Sequence, residues 1–240
     1  MDAAYFSVRA CFNDRGVRRG TPLSSLAHSV GLRRGGGVFA IVWVLLAAVT
    51  LSACDESFNG PAELVPARLT PTLDTLAVLS DGDAIELQPP IQGGWVLFVG
   101  ALLRNVSGKG ASLLGELRRG SAPDGTPLTE PGAILYSEER TVAVDDLLPP
   151  TLAPTADPGW KMTRPDPNNT ANIATCPNPL DVAIVDSSLY LRLVYRDQAG
   201  RTASAVRRVT PRCRQTDAQA QQLCACDCAA MSQPGKCTIR

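Results

Sequence analysis

Cys224, Cys226 and Cys228 stand two residues apart near the end of the chain, preceded by Cys176 and Cys213 and followed by Cys237. Thiols so grouped have two chemistries. As thiolates, three of them with a fourth hold zinc or copper(I); oxidised, they close disulfides. Structural zinc sites use paired Cys-x-x-Cys knuckles, and this spacing departs from that pattern, so no metal site is assigned and disulfides are expected. Carboxylates are the other candidates: Glu138-Glu139 and Asp145-Asp146 are adjacent pairs of the residue type that does acid and base work. Neighbours on a strand point to opposite faces, so neither pair is expected to converge on a substrate. The one histidine is His28. Any part of the chain beyond it lacks the imidazole that Ser-His-Asp and Cys-His nucleophiles require.

The stretch that precedes this chemistry decides where it takes place. Val38 to Thr50 is an apolar run with Arg33 and Arg34 before it, and it ends on Leu51-Ser52-Ala53-Cys54. This arrangement resembles the signal peptide and lipobox of bacterial lipoproteins over residues 30 to 54. The arginines would hold the N-terminus in the cytoplasm. The apolar stretch of about 13 to 16 residues is short of the roughly 20 that a spanning helix needs. It also lacks the polar positions at helical spacing that a core helix would show. Leu51, Ser52 and Ala53 would enter the signal peptidase, and Cys54 would take diacylglycerol and acyl chains such as palmitate. The resemblance thus implies a membrane partner through an N-terminal lipid, at the inner or outer membrane, with the domain outside the cytoplasm. Residues 1 to 29 form a polar leader longer than the family has, as expected of a start codon that belongs at Val30. Gly35-Gly36-Gly37 after Arg33-Arg34 does not fit a twin-arginine signal.

Cleavage before Cys54 changes what remains. His28 is lost, and residues 54–240 carry 17 basic and 21 acidic side chains. No basic run there exceeds Arg118-Arg119 or Arg207-Arg208, so a nucleic-acid partner is not expected. The cysteines left beside the lipidated one are Cys176, Cys213, Cys224, Cys226, Cys228 and Cys237. An even six in an exported chain reads as three disulfides. If none forms within 224–228, each of those three joins one of Cys176, Cys213 and Cys237, and six connectivities stay open.

The elements that would position these residues read as strands. Residues 54–72 are polar and proline-punctuated, a lipidated cysteine and flexible tether. Leu76 to Leu79 and Ala84 to Leu87 flank Ser80-Asp81-Gly82-Asp83, the pattern of a hairpin. Trp95 to Arg104 is apolar on both faces, Trp95, Leu97, Val99, Ala101 and Leu103 on one and Val96, Phe98 and Leu102 on the other, and is expected as a central strand. Ala111 to Arg118, Ile134 to Val144 and Val182 to Val185 follow as strands. Asp145 to about Thr170 reads as a loop, in which Trp160 is the aromatic expected to be exposed and available for binding, while Trp95 and Tyr136, Tyr190 and Tyr195 are expected in the core. Leu189 to Arg196 and Arg201 to Val209 form the clearest hairpin, and Thr216 to Leu223 has helix-forming composition.

The Asp197-x-x-Gly200-Arg201 turn is similar to those closing bacterial immunoglobulin-like domains, a likeness of about 20 residues without the Cys-Trp-Cys pattern of true immunoglobulin domains. It implies an immunoglobulin-like β-sandwich. The expectation is an all-β sandwich of about 7 to 8 strands over 73–212, then a Cys-rich tail over 213–240 with a short helix, behind a leader and signal over 1–53. In function it reads as a non-catalytic envelope lipoprotein without cofactor, binding a protein or glycan partner or serving structure. A carboxylate-dependent envelope hydrolase or a Cys-cluster metal-binding protein is the alternative.

Overall fold

A computed structural model of the chain describes residues 58–146, 159–233 and 235–237. The stretch read as a signal peptide and lipobox, with Cys54, lies outside the described residues. Eleven strands and one helix are described, in the order β1 (Glu63–Leu69), β2 (Leu76–Val78), β3 (Asp83–Leu87), β4 (Trp95–Arg104), β5 (Ala111–Arg118), β6 (Ile134–Val142), β7 (Val144–Asp146), β8 (Trp160–Thr163), β9 (Ala171–Cys176), β10 (Leu189–Arg196), β11 (Thr202–Cys213) and α1 (Ala218–Asp227). Among the described residues the fold is all-β apart from α1. The strands form two sheets. One runs β2-β1-β4-β8-β7, with β9 also on β4; the other runs β3-β11-β10-β5-β6.

β4 is central, as its two apolar faces require. β1 pairs along one edge, while β8 takes Leu102 to Arg104 and β9 takes Trp95 to Val99 on the other. Trp95, Leu97, Val99, Ala101 and Leu103 enter the main core, where they meet Leu113 and Leu117 of β5 and Leu189, Leu191, Leu193 and Tyr195 of β10. The opposite face divides between two small clusters, Val96 and Phe98 in one and Leu102 with Trp160 in the other. Gly94 admits β4 to this position. Its φ is +82°, and a Cβ there would lie 2.5 Å from the Cys176 carbonyl oxygen, so only glycine fits.

The β10–β11 hairpin owes its closure to the Asp-x-x-Gly-Arg turn. Asp197 is buried at 8% exposure. Its Oδ1 accepts from Arg201 N at 2.9 Å and its Oδ2 from Ser107 N at 2.7 Å. Gly200 takes φ +76° and donates from its N–H to Asp197 O. Tyr195, fully buried, donates its hydroxyl to Ser107 O. One aspartate thus closes one turn and ties it to the next.

Four expectations are corrected. Glu63–Leu69, read as part of a tether over 54–72, is β1: Leu64, Ala67 and Leu69 are buried, and the strand pairs with β4 from Glu63 to Arg68. Leu76 to Leu87 is not a hairpin. The Asp81-Gly82 turn is present, with Gly82 at φ +87°, yet it passes the chain from one sheet to the other, so that β2 pairs with β1 and β3 pairs parallel with β11. Val182 to Val185 is not a strand; Ile184 there is fully buried and its N–H donates to Cys228 O. The stretch read as a loop from Asp145 to Thr170 carries the end of β7 and all of β8, which pair with each other. The strands reach from Glu63 to Cys213, wider than the expected 73–212.

Candidate functional site

The six cysteines pair as Cys176–Cys228, Cys213–Cys224 and Cys226–Cys237, with Cα separations of 5.0, 5.9 and 5.9 Å. This is one of the six connectivities the spacing left open. α1 makes the choice. Asp217 caps it, its carboxylate accepting from Ala220 N at 2.9 Å. Residues four apart share a helix face, so Cys224 and Cys228 turn inward together and are fully buried. There they meet Cys213, where β11 ends, and Cys176, where β9 ends. Cys226, two residues from each, is exposed and joins Cys237. The sulfurs of Cys213, Cys224 and Cys228 lie within 4.8 Å of one another. Held in disulfides, they offer no thiolate to a metal.

Polar contacts fasten the tail further. Trp95 Nε1 donates to Asp227 Oδ2 at 3.1 Å. Asn178, fully buried, donates from Nδ2 to Val182 O and Ala229 O, and its Oδ1 accepts from Tyr136 OH and Leu180 N. Burial pushes the Tyr136 hydroxyl up to about 12, so it stays a donor throughout the neutral range.

The paired carboxylates do not converge. Glu138 binds Arg140 at 2.7 Å, and Glu139 accepts from Ser112 Oγ at 2.8 Å and faces Arg196 at 3.7 Å. Asp145 pairs with Arg164 at 2.9 Å, while Asp146 is exposed. The carboxylate that sequence reasoning missed is Glu116 on β5, at 6% exposure. Arg118 Nε and Arg192 Nη1 reach its Oε2 at 2.8 and 3.0 Å. Burial works against its charge, yet the hydrogen bonds and charges of the two arginines outweigh that and hold its carboxyl below the ordinary range. The alternation of β5 and β10 carried the signal, since Glu116 and Arg192 are cross-strand partners.

Trp160, expected at the surface, is buried at 6% exposure. It starts β8 opposite Arg104, packs with Leu102, and carries the Arg104 guanidinium 5.4 Å from its ring centroid. No exposed aromatic platform exists at this position. Trp95, Tyr190 and Tyr195 are in the core as expected, and Tyr136 is half-buried against it.

Two recesses stand out on the surface of the described residues. One, of about 230 Å³, has Phe98 as an apolar floor, Leu73, Pro90 and Ile91 as walls, and Arg140 and Asn172 on the rim. Ile91 stands fully exposed on the turn leading to β4. The other, of about 470 Å³, is polar, with Asp81, Thr129, Tyr190 and Arg208 around it. Arg208 Nη2 donates there to Tyr190 OH at 2.8 Å, and the hydroxyl donates on to Leu128 O at 2.9 Å. The first suits a small apolar group, the second a neutral polar one. Neither contains an imidazole or a free thiol to act as nucleophile or base.

No protein-family model, curated protein or solved structure matches the chain.

Proposed function

We propose that the chain is an exported lipoprotein of the bacterial cell envelope, anchored in the inner or outer membrane through lipid on Cys54, with a non-catalytic domain that binds a protein or glycan partner or serves envelope structure outside the cytoplasm. One observation carries this reading: every cysteine after Cys54 is closed in a disulfide. Such bonds persist in oxidising compartments and are rare in the cytosol. The lipobox supplies the route to that compartment. The absence of histidine beyond residue 28, and carboxylates engaged by arginine rather than gathered in a cleft, support a role without catalysis.

Within this reading the domain is immunoglobulin-like. Its support is the strand order: β3 runs parallel to β11, then β10, β5 and β6 follow, opposite a sheet that holds β1, β4 and β9. Sandwiches of that class place strands G, F and C together against A, B and E.

Expression of the full chain in a bacterial host tests the proposal. Mass spectrometry is expected to find a chain beginning at an acylated Cys54, and the protein is expected in the membrane fraction. Cys54→Ala should abolish acylation and processing. An intact segment 1–53, or an unmodified Cys54 in a soluble protein, would sink the lipoprotein reading.

A further inference from the structure

Little chain is left to act as a tether. The Phe58 ring lies 4.3 Å from the Arg201 guanidinium carbon, and Gly60 O accepts from Arg201 Nη2. Asn105 Nδ2 donates to Pro61 O at 3.0 Å. β1 then begins at Glu63, opposite Arg104 at the end of β4. Three residues, Asp55 to Ser57, separate Cys54 from Phe58. Four Cα steps span at most about 14 Å, so the covalent chain alone keeps Cys54 within that distance of Phe58.

The end of the domain that carries Phe58 is therefore fixed. It holds the turn from β4 to β5 (105–110) and the turn from β10 to β11 (197–201), clamped together where Ser107 N donates to Asp197 Oδ2 and Gln198 N to Lys109 O. The disulfide tail is at the other end, because Trp95, which binds Asp227, starts β4 whereas Arg104 finishes it. A strand of that length separates the two ends by about 30 Å.

Two cations stand at the near end. Lys109 is exposed and Arg201 half-buried, and among the described residues neither has a carboxylate partner. Among the described residues Asp197 and Glu63 are engaged, while Asp55 and Glu56 belong to the link itself. Asp197 is committed to backbone N–H groups and Glu63 binds Arg104. Two cations without a carboxylate partner among the described residues thus stand on the side where the lipid must be.

We propose that this end, formed by the 105–110 and 197–201 turns beside Phe58, is a membrane-docking face that rests on phospholipid headgroups, with Lys109 and Arg201 meeting lipid phosphates. The inference rests on lipidation of Cys54. It places the disulfide tail and α1 farthest from the bilayer, as the end available to other molecules.

The test uses the mature, acylated protein in vesicles of phosphatidylethanolamine and phosphatidylglycerol that contain a headgroup spin-labelled lipid. Tryptophan is introduced at the near end by Gln198→Trp or at the far end by Met231→Trp, and quenching is read after subtraction of the parent protein. Quenching of the Gln198→Trp signal is expected to exceed that of Met231→Trp at least threefold. Lys109→Glu added to Gln198→Trp should reduce its quenching, and a ten-residue Gly-Ser insertion after Asp55 should remove the difference between the two ends. Equal quenching at both ends of a protein that floats with the vesicles, or a difference unchanged by the insertion, overturns the docking face while leaving the lipoprotein reading intact. A protein that carries no acyl chains and fails to float overturns both.

Discussion

Glu116 shows how a single side chain is held charged inside a β face. Its neighbours Arg118 and Arg192 reach one carboxylate oxygen from two strands, so either arginine alone would leave part of the burial cost uncovered. A carboxyl held below its ordinary pKa stabilises the fold above the unfolded value of about 4.3, and that contribution is lost as pH falls through the lower folded value. Glu116→Gln is therefore expected to cost about 2 kcal/mol at neutral pH and less in acid. Urea unfolding at pH 7 and pH 3 measures this; an equal cost at both would show that the charge is not what matters. Trp160 illustrates the reverse case at the same scale. Proline-rich surroundings made it look like a surface aromatic, but the Arg104 guanidinium and Leu102 cover it.

Elements with one strong internal pattern were legible in the sequence. The two apolar faces of β4, the alternation of β10 and the Asp-x-x-Gly-Arg turn each specify their own structure, because side-chain period and turn chemistry are local. β1 and β9 were missed for another reason. ELVPARL holds a proline, and ANIATC follows Pro-Asn-Asn-Thr and precedes Pro177, so their apolar positions show only against the edges of β4 that they cover. Cysteine spacing reduced the disulfides to six connectivities; the helical period of α1, which puts Cys224 and Cys228 on one face, selects among them. Loop length then ranks the bonds. Cys176–Cys228 closes a separation of 52 residues and each of the others 11. Chain entropy assigns about 4 kcal/mol to the first and about 3 to each of the others. Paired Cys→Ser variants should follow that order in urea midpoint, with Cys226/Cys237 the mildest because Cys226 is exposed. A Cys226/Cys237 variant as unstable as Cys176/Cys228 would contradict it.

The molecule as a whole has chemically different ends. Its N-terminal approach, two tight turns and unpaired cations are at one, and its disulfides and terminal helix at the other. β11 joins them, since it runs from the near-end turn to Cys213 and binds both β3 and β10. A chain ending at Arg201 lacks β11 and is expected to show no cooperative melt by circular dichroism. One ending at Arg214 keeps both sheets and should melt cooperatively at a lower temperature. A cooperative melt of the shorter chain would show that β11 is dispensable.

The parallel register of β3 and β11, Asp83 opposite Val209, also has a consequence in time. A polypeptide made from its N-terminus presents β3 more than a hundred residues before its partner arrives. Until then that edge has no ladder, and non-local β pairings close in milliseconds to seconds rather than microseconds. The nascent protein must therefore wait, its apolar strands exposed to aggregation, until almost its last strand is delivered.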